Sequence, residues 1–299
     1  MLETTLLGVK MKTPIIAASG TFGFGMEYAG YFDFNKLGAI SVKGLTYEPR
    51  RGNDGRRVAE TPSGLLNCIG LENPGVHAFA EHILPELLTY HVPVMANISG
   101  NSVEDYGKMA RVLDIDGVDF IEVNISCPNV KCGGLAFGVD PKTAAAVTEE
   151  VKKHTSKPVI VKLSPNVTDI AGIAKTVEQA GADAVSLINT LLGMSIDTRT
   201  WKPVMGNRMG GLSGPAVKPV AVRMVYQVAQ AVDIPIIGMG GIMSGLDAAE
   251  FMLAGADAVS VGTATIVDPR AIGQIADELE SYGKEKGLSH ISELVGKCQ

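Results

Sequence analysis

Eight short runs of aliphatic and β-branched residues punctuate the chain, at 14–18, 39–43, 92–98, 120–125, 158–163, 184–189, 235–239 and 258–262. They are nearly continuous in apolar character rather than alternating, which is the pattern of parallel strands buried on both faces. Between most of them lie stretches with apolar residues at three- and four-residue spacing, at 76–90, 103–113, 141–154, 170–180, 217–232 and 246–254. These predict amphipathic helices. Eight strands alternating with helices favour a (β/α)8 TIM barrel over an open doubly wound sheet, which usually has about five or six strands. The heptapeptide AGADAVS at 180–186 recurs at 254–260, with a weaker copy at 117–120. Each copy closes a helix and opens the next strand, and a common way into a barrel strand is enough to explain the echo.

At 299 residues the whole chain, 1–299, is read as one barrel domain with insertions. Two long segments, 48–73 and 191–215, follow strands and therefore belong to the C-terminal rim, where barrel enzymes place their sites. The first contains Arg50-Arg-Gly-Asn-Asp-Gly-Arg-Arg57, and the length of both suggests substrate enclosure. With 46% hydrophobic and 19% charged residues the chain buries a large core and is not disordered. A net charge of -6, with no basic tract, disfavours nucleic acid as a partner. The N-terminus has no basic segment followed by an apolar run, so a cytoplasmic protein is expected. Cys68, Cys127, Cys132 and Cys298 are too scattered for a disulfide framework or a metal nest.

Glycine is abundant, 35 residues of 299, and clusters where chemistry is expected. Ile237-Gly-Met-Gly-Gly-Ile242 follows the seventh strand and Val261-Gly-Thr-Ala264 the eighth. In barrels these two loops commonly bind phosphate, since glycines let backbone N–H groups converge on an anion. A phosphate alone leaves a flavin mononucleotide, a pyridoxal phosphate and a phosphorylated substrate all open. Lys43, Asn97, Asn124, Lys162 and Asn189 close strands two to six and narrow the choice. Amides both donate and accept, which suits the edge of a planar heterocycle, and lysines stabilise charge developing on a flavin ring as it is reduced. Asn124-Ile-Ser-Cys-Pro-Asn129 puts Cys127 just past the fourth strand. With no histidine nearby in sequence, a base acting on a carbon acid fits this thiol better than a hydrolytic nucleophile. Cys132 is a weak candidate for a metal or redox partner, and the five histidines (77, 82, 91, 154 and 290) are read as solvated surface.

The run Asn124-Ile-Ser-Cys-Pro-Asn-Val-Lys-Cys-Gly-Gly-Leu-Ala-Phe-Gly138 resembles the dihydroorotate dehydrogenase family, and the likeness extends from the first strand to the last. Its cysteine, where the membrane-bound class has serine, is like class 1. The Lys-x-Gly-Gly-x-x-Phe-Gly continuation is similar to the NAD-linked class 1B catalytic subunit, and the missing N-terminal helical extension argues against the quinone-using class. The resemblance implies that Cys127 removes a proton from C5 of dihydroorotate while hydride passes from C6 to flavin N5. It implies that Lys43, the loop Asn67, Cys68, Ile69, Gly70 and Leu71, and Asn124, Asn189 and Thr190 hold the substrate. FMN is implied to bind Ser19, Lys43, Gly44, Asn97, Asn124, Lys162, Ile188, Gly214, Gly240, Gly241, Gly262 and Thr263.

The same resemblance implies a partner subunit carrying FAD and a [2Fe-2S] cluster that passes electrons to NAD, in a heterotetramer of two catalytic and two electron-transfer subunits. This chain has no dinucleotide fingerprint after its first strand and no cysteine cluster, so it does not encode that relay itself. Three rivals stand beside this reading: a fumarate-using class 1A homodimer, a flavin-free sugar-phosphate lyase using Lys162 as a Schiff base, and a non-catalytic ligand-binding barrel.

Overall fold

A computed structural model describes residues 1–126 and 137–298. The eight predicted strands form one closed parallel barrel: β1 (Ile15–Ala17), β2 (Ala39–Ser41), β3 (Val94–Ile98), β4 (Phe120–Asn124), β5 (Val159–Lys162), β6 (Ala184–Leu187), β7 (Ile236–Met239) and β8 (Ala258–Val261). They pair in chain order, and β8 closes onto β1, with Val259 opposite Ile15 and Val261 opposite Ala17. The paired strands are shorter than the apolar runs that predict them, because burial extends past the last ladder hydrogen bond. Along β4, Ile121 and Val123 turn outward into the core shared with the helices. Phe120 turns inward, and two residues later so does Glu122, as the period of two requires.

The barrel has an apolar lower interior. Ile16, Met95, Phe120, Ile160 and Ile237 meet there with Leu6 and Met11. The latter two come from an N-terminal hairpin, Thr4–Leu6 paired with Val9–Met11, which caps the barrel before its first strand begins. Its two-residue turn, Leu7-Gly8, has positive φ at both positions, the geometry that matches strand twist.

The outer ring contains the helices Val103–Val112, Pro141–Lys152, Ile170–Gln179, Lys218–Ala229, Gly245–Leu253 and Ala271–Glu285. The helix predicted over 76–90 is instead broken into Val76–Ala78, a wide π turn Phe79–Ile83, Leu84–Leu87 and a tight turn Leu88–Tyr90. Pro85 brings no N–H to the helical ladder and so interrupts it. Between β1 and β2 there is only a pair of 3-10 turns, Met26–Tyr28 and Phe34–Lys36, packed by Phe22 stacked on Tyr28 at 4.1 Å.

The two rim insertions are more ordered than their composition suggests. Leu191–Met194, Met209–Ser213, Gly64–Asn67 and Val58–Thr61 line up, in that order, as a four-stranded antiparallel sheet above the barrel. Among the described residues no helix is long and apolar enough to cross a membrane.

Phe120 is fully buried at the junction of hairpin and barrel. Phe120→Ala is expected to destabilise the protein by about 3–5 kcal/mol, the range for truncating a buried aromatic ring. Urea unfolding monitored by circular dichroism measures it, and a loss below 1 kcal/mol would show that the lower interior is not a close-packed plug.

Candidate functional site

The upper half of the barrel interior is polar where the lower half is apolar. Ser41, Asn97, Glu122, Lys162, Ser186 and Ser260 are all buried, and five of them come from consecutive strands β2 to β6. Glu122 is their centre. Its Oε2 accepts from Ser41 Oγ at 2.7 Å and from Asn97 Nδ2 at 2.6 Å, and its Oε1 accepts from Ser186 Oγ at 2.8 Å. Burial alone would favour the neutral acid, but the Lys162 ammonium and these donors outweigh it and hold Glu122 below the usual carboxylate range. Glu122, Ser41 and Ser186 were not singled out by their sequence positions. The usable signal was an acidic residue at an inward position of an otherwise apolar strand, where a charge must find partners.

Above this layer the predicted strand-end residues come together. Asn189 Nδ2 donates to Asn124 Oδ1 at 3.1 Å, and Asn189 Oδ1 accepts from Thr190 N at 2.8 Å. Tyr106 Oη donates to the Asn124 carbonyl at 2.8 Å and steadies that strand end. The inserted sheet brings in the 67–71 loop. Gly211 lies opposite Asn67, whose Nδ2 donates to the Gly211 carbonyl at 3.2 Å. A Cβ at Gly211 would collide with Thr190, so the strand Met209–Ser213 meets Asn67 and Thr190 at the same residue. Cys68 is half-buried with its Sγ 3.6 Å from the Arg56 carbonyl, and the Ile69 carbonyl accepts from Asn53 N at 2.9 Å. Gly70 and Leu71, both at positive φ, turn the loop back so that Leu71 Cδ2 packs 3.2 Å from where a Gly44 Cβ would stand. Gly44 in turn sits against Asn97, which joins the end of β2 to the loop and to the polar floor.

Lys43 is partly enclosed here. Burial lowers its pKa from the ordinary lysine value; the Glu72 carboxylate opposes that shift and the Arg57 guanidinium reinforces it. Arg57 and Glu72 are themselves ion-paired.

The glycine loops meet at the other side of the rim. Gly214 at φ 90° and Gly241 at φ 81° adopt a conformation that side chains disfavour, and a Cβ on Gly241 would stand 2.8 Å from the Gly214 carbonyl oxygen. Gly240 packs on Ile188, whose amide donates to the Met239 carbonyl at 2.9 Å. Thr263 Oγ1 donates to Ser213 Oγ at 2.9 Å, next to Gly214. Gly262 lies over Ala18, beside the half-buried Ser19. The helices starting at Val103, Pro141, Ile170 and Gly245 are capped by the side chains of Ser102, Asp140, Asp169 and Ser244. Those opening at Lys218 and Thr263, beside the glycines, have no side-chain cap, and neither has the one opening at Ala271.

Cys127 and Cys132 lie outside the described residues. Of the histidines, two are more engaged than the solvated surface expected: His154 Nδ1 contacts the Glu150 carbonyl at 2.8 Å, and His290 caps the turn Ile291–Leu294. Neither is in the site. No group of three or more potential metal ligands occurs among the described residues.

These elements define a (β/α)8 barrel whose rim brings glycine-lined loops at its seventh and eighth strands and polar strand ends together over a buried carboxylate. The chain belongs to the dihydroorotate dehydrogenase family, which it matches over residues 1–282. It is 62% identical over 287 residues to a protein from Desulforamulus reducens named dihydroorotate dehydrogenase B (NAD(+)), catalytic subunit, covering 96% of this chain and 94% of the relative. Proteins of the same name from a Geobacter species and from Thermoanaerobacter pseudethanolicus are 55% and 54% identical, each covering 100% of this chain and 98% and 99% of the relatives.

Glu72→Gln removes the one influence that raises the Lys43 pKa and leaves Arg57 to lower it. Lys43 is therefore expected to become reactive at lower pH in this variant. Competitive acetylation at a series of pH values, read by mass spectrometry, measures the change; an upward or absent displacement would show that the Arg57–Glu72 pair does not control it.

Proposed function

We propose that this chain, one barrel domain over 1–299, is the FMN-bearing catalytic subunit of an NAD-linked dihydroorotate dehydrogenase, converting dihydroorotate to orotate in pyrimidine synthesis. The observation that carries the reading is Asn97 Oδ1, a buried acceptor with no hydrogen-bond partner among the described residues, lying on the same rim as the glycine-lined anion cradle. An isoalloxazine N–H satisfies the first and a ribityl phosphate the second.

In this reading Gly214, Gly240, Gly241, Gly262 and Thr263 hold the phosphate through backbone N–H groups, with Ser19 and Ile188 beside them. Gly44, Asn97, Asn124 and Lys162 would hold the ring system, and Lys43 would serve both ring and substrate. FMN, when bound, supplies the acceptor for the hydride that leaves C6 of the substrate. Asn67, Asn124, Asn189 and Thr190 orient the substrate through its amide and carboxylate groups, and the turn from Cys68 to Leu71 closes over it and excludes water. Cys127, as thiolate, takes the C5 proton. The Asn189–Asn124 hydrogen bond supports this division of labour, since it ties the end of β6 to the strand that leads directly into Cys127.

A partner subunit carrying FAD and a [2Fe-2S] cluster, in a heterotetramer, would supply the route for the electrons to NAD. Support comes from the names of the relatives, which are catalytic subunits and NAD(+)-linked, and from the lack of a dinucleotide fingerprint after β1 in this sequence.

The purified chain should be yellow, and dihydroorotate added without oxygen should bleach the flavin band. A flavin that stays oxidised with dihydroorotate, both with and without the partner subunit, would reject the substrate. A colourless protein that FMN does not restore would reject the cofactor. Cys127→Ala should retain FMN and slow flavin reduction by roughly 10²–10⁴, the usual worth of a positioned base. Stopped-flow absorbance reads this directly, and a rate within twofold of the parent would remove Cys127 from the proton transfer.

A further inference from the structure

Glu122 is 1% exposed, takes no part in the chemistry proposed above, and yet occupies the centre of the polar floor. Three side chains from three different strands donate to it, at 2.6 to 2.8 Å. An ionised carboxylate only accepts hydrogen bonds. Asn97 must therefore turn its NH2 toward Glu122, and the amide oxygen is left as the group it presents elsewhere. That oxygen is buried with no hydrogen-bond partner among the described residues, 3.0 Å from where a Gly44 Cβ would stand. Lys162, 5% exposed, stands on the neighbouring strand β5 opposite Asn124, two residues above Glu122 along β4, and its positive field favours the ionised form of Glu122.

We propose that Glu122 is the positioning residue of the flavin floor: it locks the Asn97 amide so that Oδ1 accepts from an N–H of the bound ring, and it holds the Lys162 ammonium as a compensated charge beneath it. The inference rests on the FMN reading given above. Glu122 touches neither substrate nor cofactor; it acts through Asn97 and Lys162. With the carboxylate in place, an acceptor and a cation are both preset before the ligand arrives, so neither has to be reorganised on binding.

The test uses the full chain, stripped of flavin and titrated with FMN by fluorescence quenching, followed by the two-electron midpoint potential of the reloaded protein. Glu122→Gln is expected to bind FMN at least tenfold more weakly, since an amide at 122 no longer forbids the Asn97 flip. Its potential should rise by about 30 mV or more, a tenfold gain in preference for reduced flavin, because Lys162 has lost its counter-charge. Glu122→Asp, which keeps the charge, should bind more weakly but retain the parental potential. In a Lys162→Met background Glu122→Gln should shift the potential by less than it does in the parent, because the cation that Glu122 faces is gone.

Parental affinity and potential in Glu122→Gln would overturn the proposal. So would an equal change in potential with and without Lys162, which is what a merely structural residue produces. Should Glu122→Gln fail to fold, Glu122→Asp decides: weaker binding at the parental potential supports the proposal, and unchanged binding overturns it. A parent chain that binds no FMN at all would instead reject the cofactor reading on which the inference stands.

Discussion

Closure of eight parallel strands is the constraint from which the site follows. Once β8 pairs with β1, no sheet edge is left open, and every strand delivers its carboxyl end to the same rim. Residues as distant in sequence as Lys43, Asn124, Asn189 and Gly262 are thereby gathered without any one of them having to find the others. The lower interior, filled by Phe120, Ile160, Met95 and the hairpin residues Leu6 and Met11, makes that closure stable. The upper interior is then free to be polar.

That freedom is costly unless every polar group is answered. Glu122 is the most demanding, since an isolated carboxylate inside a barrel would protonate rather than remain charged. Ser41, Asn97 and Ser186 answer it with hydrogen bonds and Lys162 with charge. What this network leaves unanswered is as informative as what it satisfies. Among the described residues Asn97 Oδ1 is buried and unpaired in a floor where the other bonds are short and direct, which is why the proposed ligand is placed against it.

The inserted antiparallel sheet plays a different part. It adds little to the barrel core, and its own buried cluster is small: Ala59, Leu66 and Met205. Its contribution is geometric. By pairing Gly211 with Asn67 and packing it on Thr190, it carries a loop from the second strand across to the end of the sixth. Such a sheet is stabilised mainly by backbone hydrogen bonds between segments far apart in the chain, and glycine at 193, 210 and 211 weakens any local strand signal.

The sequence by itself determined the barrel, because continuous apolar runs separated by amphipathic stretches admit few other packings, and it located the glycine loops and the polar strand ends, because strand order places them on one rim. The helical periodicity across 76–90 hid the interruption that Pro85 imposes. Only the tertiary structure decided that Asn67 and Thr190 meet the same strand, Met209–Ser213, at Gly211, that two helix starts beside the glycines lack side-chain caps, and that Glu122 gathers hydrogen bonds from Ser41, Asn97 and Ser186. The physical reason is the same in each case. Periodicity records which face of an element is buried, but hydrogen bonds and charge compensation depend on which residues from other strands arrive at the same level of the barrel, and that is set by register and shear.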